Sequence, residues 1–224
     1  MSLKEGEGEG SRSLSMVRRS FLVLASLVPL ATTAQSSFPR HHLQAGLGAA
    51  APGADLAGNF SPSFGFGAHY GYRFLRNFQL DVGAEGVLGS ARVRDFLDTT
   101  FGPRRIRDFQ FFLPVGGRVV LPLADDRLEV FAGGGGVYVR YFEAVSQPNQ
   151  FFRIDCPFCG ARNGFGYYGS AGFRIRPGAG RGFWIGGSFR LTRVETTGDA
   201  FGRLGPARSR DRWITPMLDF GISF

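Results

Sequence analysis

Cys156-Pro-Phe-Cys159, within RIDCPFCGARNG, is the first place in this sequence where chemistry could gather. The CPxCG pattern resembles one knuckle of a zinc ribbon, yet a structural zinc site takes four ligands and the chain has 2 Cys. A thioredoxin-like pair would open a helix inside a βαβ unit, and no such unit surrounds this one. In an oxidising compartment two cysteines so close form a local disulfide, which closes a very short ring and stabilises little. A metal bridge between two chains is the remaining use. The 3 His are His41, His42 and His69. A serine hydrolase needs a histidine beside a nucleophile and a carboxylate to orient it, and no Ser/His/acid set appears at strand spacing. GFGAHYG at 65–71 and GGGG at 133–136 miss the dinucleotide spacing and precede no helix. No catalytic residue, metal ligand or cofactor is expected.

Arginine is the other chemical resource. Lys and Arg number 26 against 18 Asp and Glu, a net charge of +8. In a cytosolic protein such a balance points to nucleic acid. The amino-terminal residues point out of the cytosol instead. Residues 1–15, MSLKEGEGEGSRSLS, are polar, Gly/Ser-rich and aperiodic, as expected of a disordered extension upstream of the true start. From Met16 the pattern is that of an export signal: Arg18 and Arg19, an apolar Phe21–Leu30, and Ala-Thr-Thr-Ala at 31–34 before Gln35. The apolar run is too short for a spanning helix, which needs about 20 residues. We therefore expect a signal peptide over 16–34, a single domain over 35–224, and no nucleic-acid partner.

The elements that must position the remaining residues are strands. In Ser63–Phe74, Phe64, Phe66, Ala68, Tyr70, Tyr72 and Phe74 alternate with Ser63, Gly65, Gly67, His69, Gly71 and Arg73. The same period of two recurs in Arg40–Ala50, Phe78–Gly89, Phe109–Leu121, Phe165–Ile175, Phe183–Thr192 and Arg212–Phe224. Leu128–Tyr141 begins the same way but blurs at Gly133–Gly136, where a bulge is expected to switch the phase. That makes eight strands. Their connectors alternate long and short: 51–62, 90–108, 142–164 and 193–211 against 75–77, 122–127 and 176–182.

The last strand ends on Phe220, Ile222 and Phe224, alternating with Gly221 and Ser223. This Phe-terminated segment resembles the C-terminal signature of bacterial outer-membrane β-barrels, which their assembly machinery reads. With the connector pattern, the whole chain resembles the small OmpA/OmpX-type barrels, without a downstream peptidoglycan-binding domain. The resemblance implies an all-β, eight-stranded antiparallel up-and-down transmembrane barrel, monomeric, with short periplasmic turns and long external loops. A lipocalin-like barrel or a β-sandwich would show the same alternation with its apolar face inward.

In the barrel reading, Arg73, Asp81, Glu85, Arg118, Arg174, Arg190 and Asp219 share the inward phase and must pair, because isolated buried charge is costly. They form either an ion path or a salt-bridged plug, and the plug is favoured. Arg92, Arg94, Arg107, Arg193 and Arg212 cluster beside the outer strand ends. There the nearest polyanion is lipopolysaccharide, whose phosphates suit arginine forks; the alternative is a solvated loop. Function is expected to be structural or a surface interaction, with outer-membrane lipid, lipopolysaccharide and the barrel assembly machinery as partners. The alternatives are a lipid A deacylase or acyltransferase and a small channel.

Overall fold

The computed structural model describes residues 38–91, 93, 96–100, 102–146, 153–154, 156, 159–177, 182–201 and 204–224. The expected extension and export signal lie outside them. In chain order the strands are β1 (His41–Ala54), β2 (Ser63–Leu75), β3 (Phe78–Leu88), β4 (Phe96–Thr99), β5 (Gly102–Arg105), β6 (Arg107–Leu123), β7 (Leu128–Ser146), β8 (Arg153–Ile154), β9 (Ala161–Ile175), β10 (Gly182–Gly198) and β11 (Ser209–Ser223). Eight of them pair antiparallel in the order β6-β3-β2-β1-β11-β10-β9-β7, and β6 pairs with β7 to close the ring. β4 and β5 form a hairpin within the second long connector, and β8 extends the outer end of β7.

The short connectors fall where alternation stops, at 76–77, 124–127 and 176–181. At the other end the strands run further than expected, to Ala54, Ser146 and Gly198, and start earlier, at Arg107, Ala161 and Ser209. The ladder continues beyond the apolar belt, so the outward positions there need not be apolar: Glu195 and Arg210 are still Cα partners. Apolar alternation marks the membrane span and not the strand.

The phase switch at Gly133–Gly136 does not occur. β7 pairs one-for-one with β6 and β9 from Leu128 to Phe142, and Glu129, Phe131, Val137, Val139 and Tyr141 all point inward. These glycines answer crowding. A Cβ on Gly133 would lie 2.3 Å from the Gly117 carbonyl oxygen, and one on Gly135 would lie 2.2 Å from that of Val115. A register shift falls instead between Arg73 and Leu75 on β2.

The faces decide the solvent. Val115, Leu80, Leu218 and Phe189 are 58, 56, 51 and 48 % exposed and point outward, while Arg73, Glu129 and Arg174 are buried inside. A lipocalin-like barrel or a sandwich needs the reverse. An exterior of bare aliphatic and aromatic side chains around a charged interior fits hydrocarbon, with every strand edge paired in the ring.

Candidate functional site

The lumen is filled in two layers. Towards the short turns it is ionic. Arg73 of β2 donates to Glu129 of β7 through both terminal nitrogens, at 2.7 and 3.1 Å. Arg176, just beyond β9, reaches the same carboxylate at 3.1 Å, and Arg174 stands at 3.7 Å. Further along, Arg118 Nε donates to Asp81 at 2.5 Å, and Gln79 reaches the other oxygen of Asp81 at 2.6 Å. Glu85 contacts Arg190 and lies 3.0 Å from His69 Nε2. Phe131 lies between two guanidiniums, those of Arg118 at 4.5 Å and Arg174 at 5.1 Å from its ring centre. Each of these charges thus meets an opposite charge or an aromatic face, which offsets its desolvation.

Towards the long connectors the filling is apolar. Trp213 of β11, Tyr141 of β7 and Phe112 of β6 meet at ring-centre distances of 5.7 to 6.4 Å. The connectors fold in over them: Leu56 and Phe60 from the first, Val93 and Ile106 from the second, Phe201 and Leu204 from the fourth. Trp213 Nε1 donates to the Tyr141 hydroxyl at 2.8 Å, satisfying the polar tips of this apolar lid. Arg162 of β9 fastens the fourth connector, donating to the carbonyls of Asp199 at 3.3 Å, Gly205 at 2.8 Å and Ala207.

Outside, at the top of the apolar belt, Leu191 pairs in register with Ile214, and the next outward pair is Arg193 with Arg212. Tyr167, 61 % exposed, is Cα partner to Arg193 on the other side, and Phe165, 73 % exposed, stands one outward step higher. Arg212 lies across Gly53, where a Cβ would come 2.7 Å from its Nε. Glu195 is occupied by Arg208 and, at 3.6 Å, by Arg210. Among the described residues Arg193 and Arg212 have no carboxylate partner.

A family model described as the outer membrane protein beta-barrel domain matches residues 20–205. The chain belongs to this family. Among solved structures, Ail, the attachment invasion locus protein of Yersinia pestis, is similar with a TM-score of 0.48 at 14% identity, over 84% of this chain and 99% of that one. Neisserial surface protein A, NspA, gives 0.48 at 10%, over 82% and 97%. OprG of Pseudomonas aeruginosa gives 0.48 at 11%, over 86% and 99%. No curated relative matches in sequence.

As an outer-membrane barrel the chain gathers some candidate residues and separates others. Arg73, Asp81, Glu85, Arg118, Arg174, Arg190 and Asp219 all enter the lumen, joined by Glu129, Arg176, His42, His69 and Gln79. Arg107 is exposed at the start of β6, parted from β10 by β7 and β9, so it is not beside Arg193 and Arg212. Arg92 and Arg94 lie outside the described residues. Phe220 and Ile222 face outward on β11, and Phe224, just beyond it, is exposed with its ring stacked on His41 at 5.4 Å. Cys156 and Cys159 form a disulfide that packs against the apolar lid.

One pairing reverses an expectation. The sequence offers no Ser/His neighbours, yet closure of β11 on β1 sets Ser223 opposite His42, with Oγ to Nδ1 at 2.8 Å. His42 Nε2 lies 3.2 Å from the Pro39 carbonyl, so its proton is there and Nδ1 accepts from the serine. Both residues are buried, and the third group is a carbonyl and not a carboxylate. The geometry staples the seam of the barrel. The signal that would have found it is antiparallel closure counted back from Phe224.

Proposed function

We propose that the protein is a sealed barrel that displays its long connectors at the cell surface and holds lipopolysaccharide at one sector of its outer rim, without passing solutes or transforming lipid. The observation that carries this reading is the doubly filled lumen. An ion would have to break the Glu129 cluster at one end and displace Trp213, Tyr141 and Phe112 at the other. Lipopolysaccharide at the rim is supported by Arg193 and Arg212, two adjacent guanidiniums without a carboxylate partner among the described residues, one step above the last apolar pair and flanked by exposed aromatics. Charge-assisted contacts to phosphate are strong there and weaken as salt is raised. Delivery would use a signal peptide over Met16–Ala34, cleaved before Gln35. The assembly machinery would read Phe220, Ile222 and Phe224, and the barrel would work as a monomer.

The test joins planar-bilayer recording with lipid analysis. The purified barrel should give no conductance steps, and the lipid A acylation profile should be the same with the protein, without it, and with Ser223→Ala. Steady steps or a changed profile would overturn the sealed, non-enzymatic reading. Arg193→Gln with Arg212→Gln should lower co-purifying lipopolysaccharide, and Arg107→Gln should not. Equal retention by both variants would make the arginines solvated loop residues.

A further inference from the structure

Charge in the ionic layer does not balance where it is densest. Glu129 alone serves Arg73, Arg174 and Arg176, with no second carboxylate in contact with the three guanidiniums among the described residues. Of the other carboxylates, Asp81 is engaged by Arg118 and Gln79 and Glu85 by Arg190 and His69, while Asp219 lies in the field of Arg190 with its Oδ1 unpartnered and makes no ion pair with the three guanidiniums. His42 is committed through both ring nitrogens to Ser223 and Pro39. The other polar contacts of Arg176 are the Asp126 carbonyl at 3.2 Å and the Ser223 hydroxyl at 3.5 Å, neither of which carries charge.

Within the Glu129 cluster and Trp184 the groups left over are all donors. Arg73 Nε, Arg174 Nε and Nη2, Arg176 Nε and Trp184 Nε1 are buried and have no protein acceptor. Guanidinium and indole nitrogens cannot accept, so nothing in the set can satisfy another member. Arg174 is 1 % and Trp184 0 % exposed, and the Arg174 Cζ sits 4.6 Å from the Trp184 ring centre. A water molecule would supply an acceptor but no charge, leaving three guanidiniums in contact with one carboxylate in a desolvated place, with Asp81 acting on Arg174 only at longer range.

We propose that the turn-side end of the lumen binds a small monovalent inorganic anion of halide size, held by Arg174 and Trp184 and supported by Arg73 and Arg176. A spherical anion suits donors carried by different strands, Arg73 on β2, Arg174 on β9 and Trp184 on β10. The site is separate from the outer rim, and its occupancy does not depend on lipopolysaccharide.

The experiment uses the full barrel in detergent micelles, titrated with iodide at constant ionic strength against gluconate, with tryptophan fluorescence as the readout. The chain has two tryptophans, so Trp213→Phe leaves Trp184 as the reporter and Trp184→Phe leaves Trp213. We expect saturable quenching of Trp184 and none of Trp213. Arg174→Lys keeps a charge but loses the donor fork, and should weaken the apparent affinity at least tenfold. Crystals soaked in bromide should show an anomalous peak within hydrogen-bond reach of Arg174 and Trp184. Linear or absent quenching, unchanged affinity in Arg174→Lys, or bromide on surface arginines only (an adventitious ion only) would each overturn the proposal. Should Arg174→Lys fail to fold, the wild-type bromide map decides.

Discussion

Glu129→Gln removes the carboxylate shared by Arg73, Arg174 and Arg176 while keeping the side-chain volume. The amide oxygen can still accept one bond from Arg73, but the second Arg73 bond, at 3.1 Å, and the attraction for Arg174 and Arg176 are lost. Three guanidiniums then remain in a space where the present carboxylate is 1 % exposed. Breaking a buried ion pair by removing one partner costs roughly 3–5 kcal/mol, and we expect a loss of that order. The comparison is Asp126→Asn, which removes a pair with Arg76 at 3.3 Å whose side chains are 56 and 42 % exposed; an exposed pair contributes about 1 kcal/mol or less. Urea unfolding in lipid vesicles, followed by heat-modifiable gel mobility, ranks the two. Adding Arg73→Gln to Glu129→Gln should cost less than the sum of the single changes, because neighbouring partners are not additive. If Glu129→Gln moves the midpoint no further than Asp126→Asn, the ionic layer is not what holds the lumen together.

Phe189→Arg or Leu113→Arg places a charge on an outward apolar position, and each should impair insertion by roughly 2–4 kcal/mol if near mid-membrane depth. Indifference of both in a membrane-assembly assay would contradict lipid exposure. Deleting Phe224 should lower the assembled fraction more than synthesis, measured by comparing outer-membrane and total protein; equal levels would remove it as an assembly signal. Thiol labelling without reductant should find Cys156 and Cys159 blocked, and replacing both by Ser should shift the unfolding midpoint little, since the ring they close is very short. Trp213→Ala should cost about 3–5 kcal/mol as a large buried aromatic. It should still produce no conductance, because the Glu129 layer remains; steps in a bilayer would show that the apolar lid alone does the sealing.

The strand faces and the turn-side ends were legible because lipid imposes a period of two that water-exposed strand does not share. Where β10 runs on through Glu195 to Gly198, that constraint is gone and the sequence looks like loop. Glu129 was hidden for a different reason. Its strand passes through glycines whose missing side chains erase the period, so its partnership with Arg73, 56 residues away, left no trace. The apolar lid was hidden because Leu56, Phe60, Phe201 and Leu204 sit in aperiodic connectors; the available signal was Phe112, Tyr141 and Trp213 on the otherwise polar inward phase. Loop arginines that share the outer strand ends looked like one patch, but ring order sets β6 apart from β10 and β11.

The seam between β1 and β11 also governs time. It joins His42 to Ser223, 181 positions away, and every other strand pairing of the ring joins residues closer in sequence. Until that rung forms, both terminal strands carry unpaired amides and carbonyls beside greasy faces, the condition in which strands recruit foreign edges. Folding speed falls as contacts lengthen along the chain, so the seam should be the slow event. Removing the Ser223–His42 staple should therefore lengthen the time this barrel takes to reach its heat-modifiable closed form in a refolding assay.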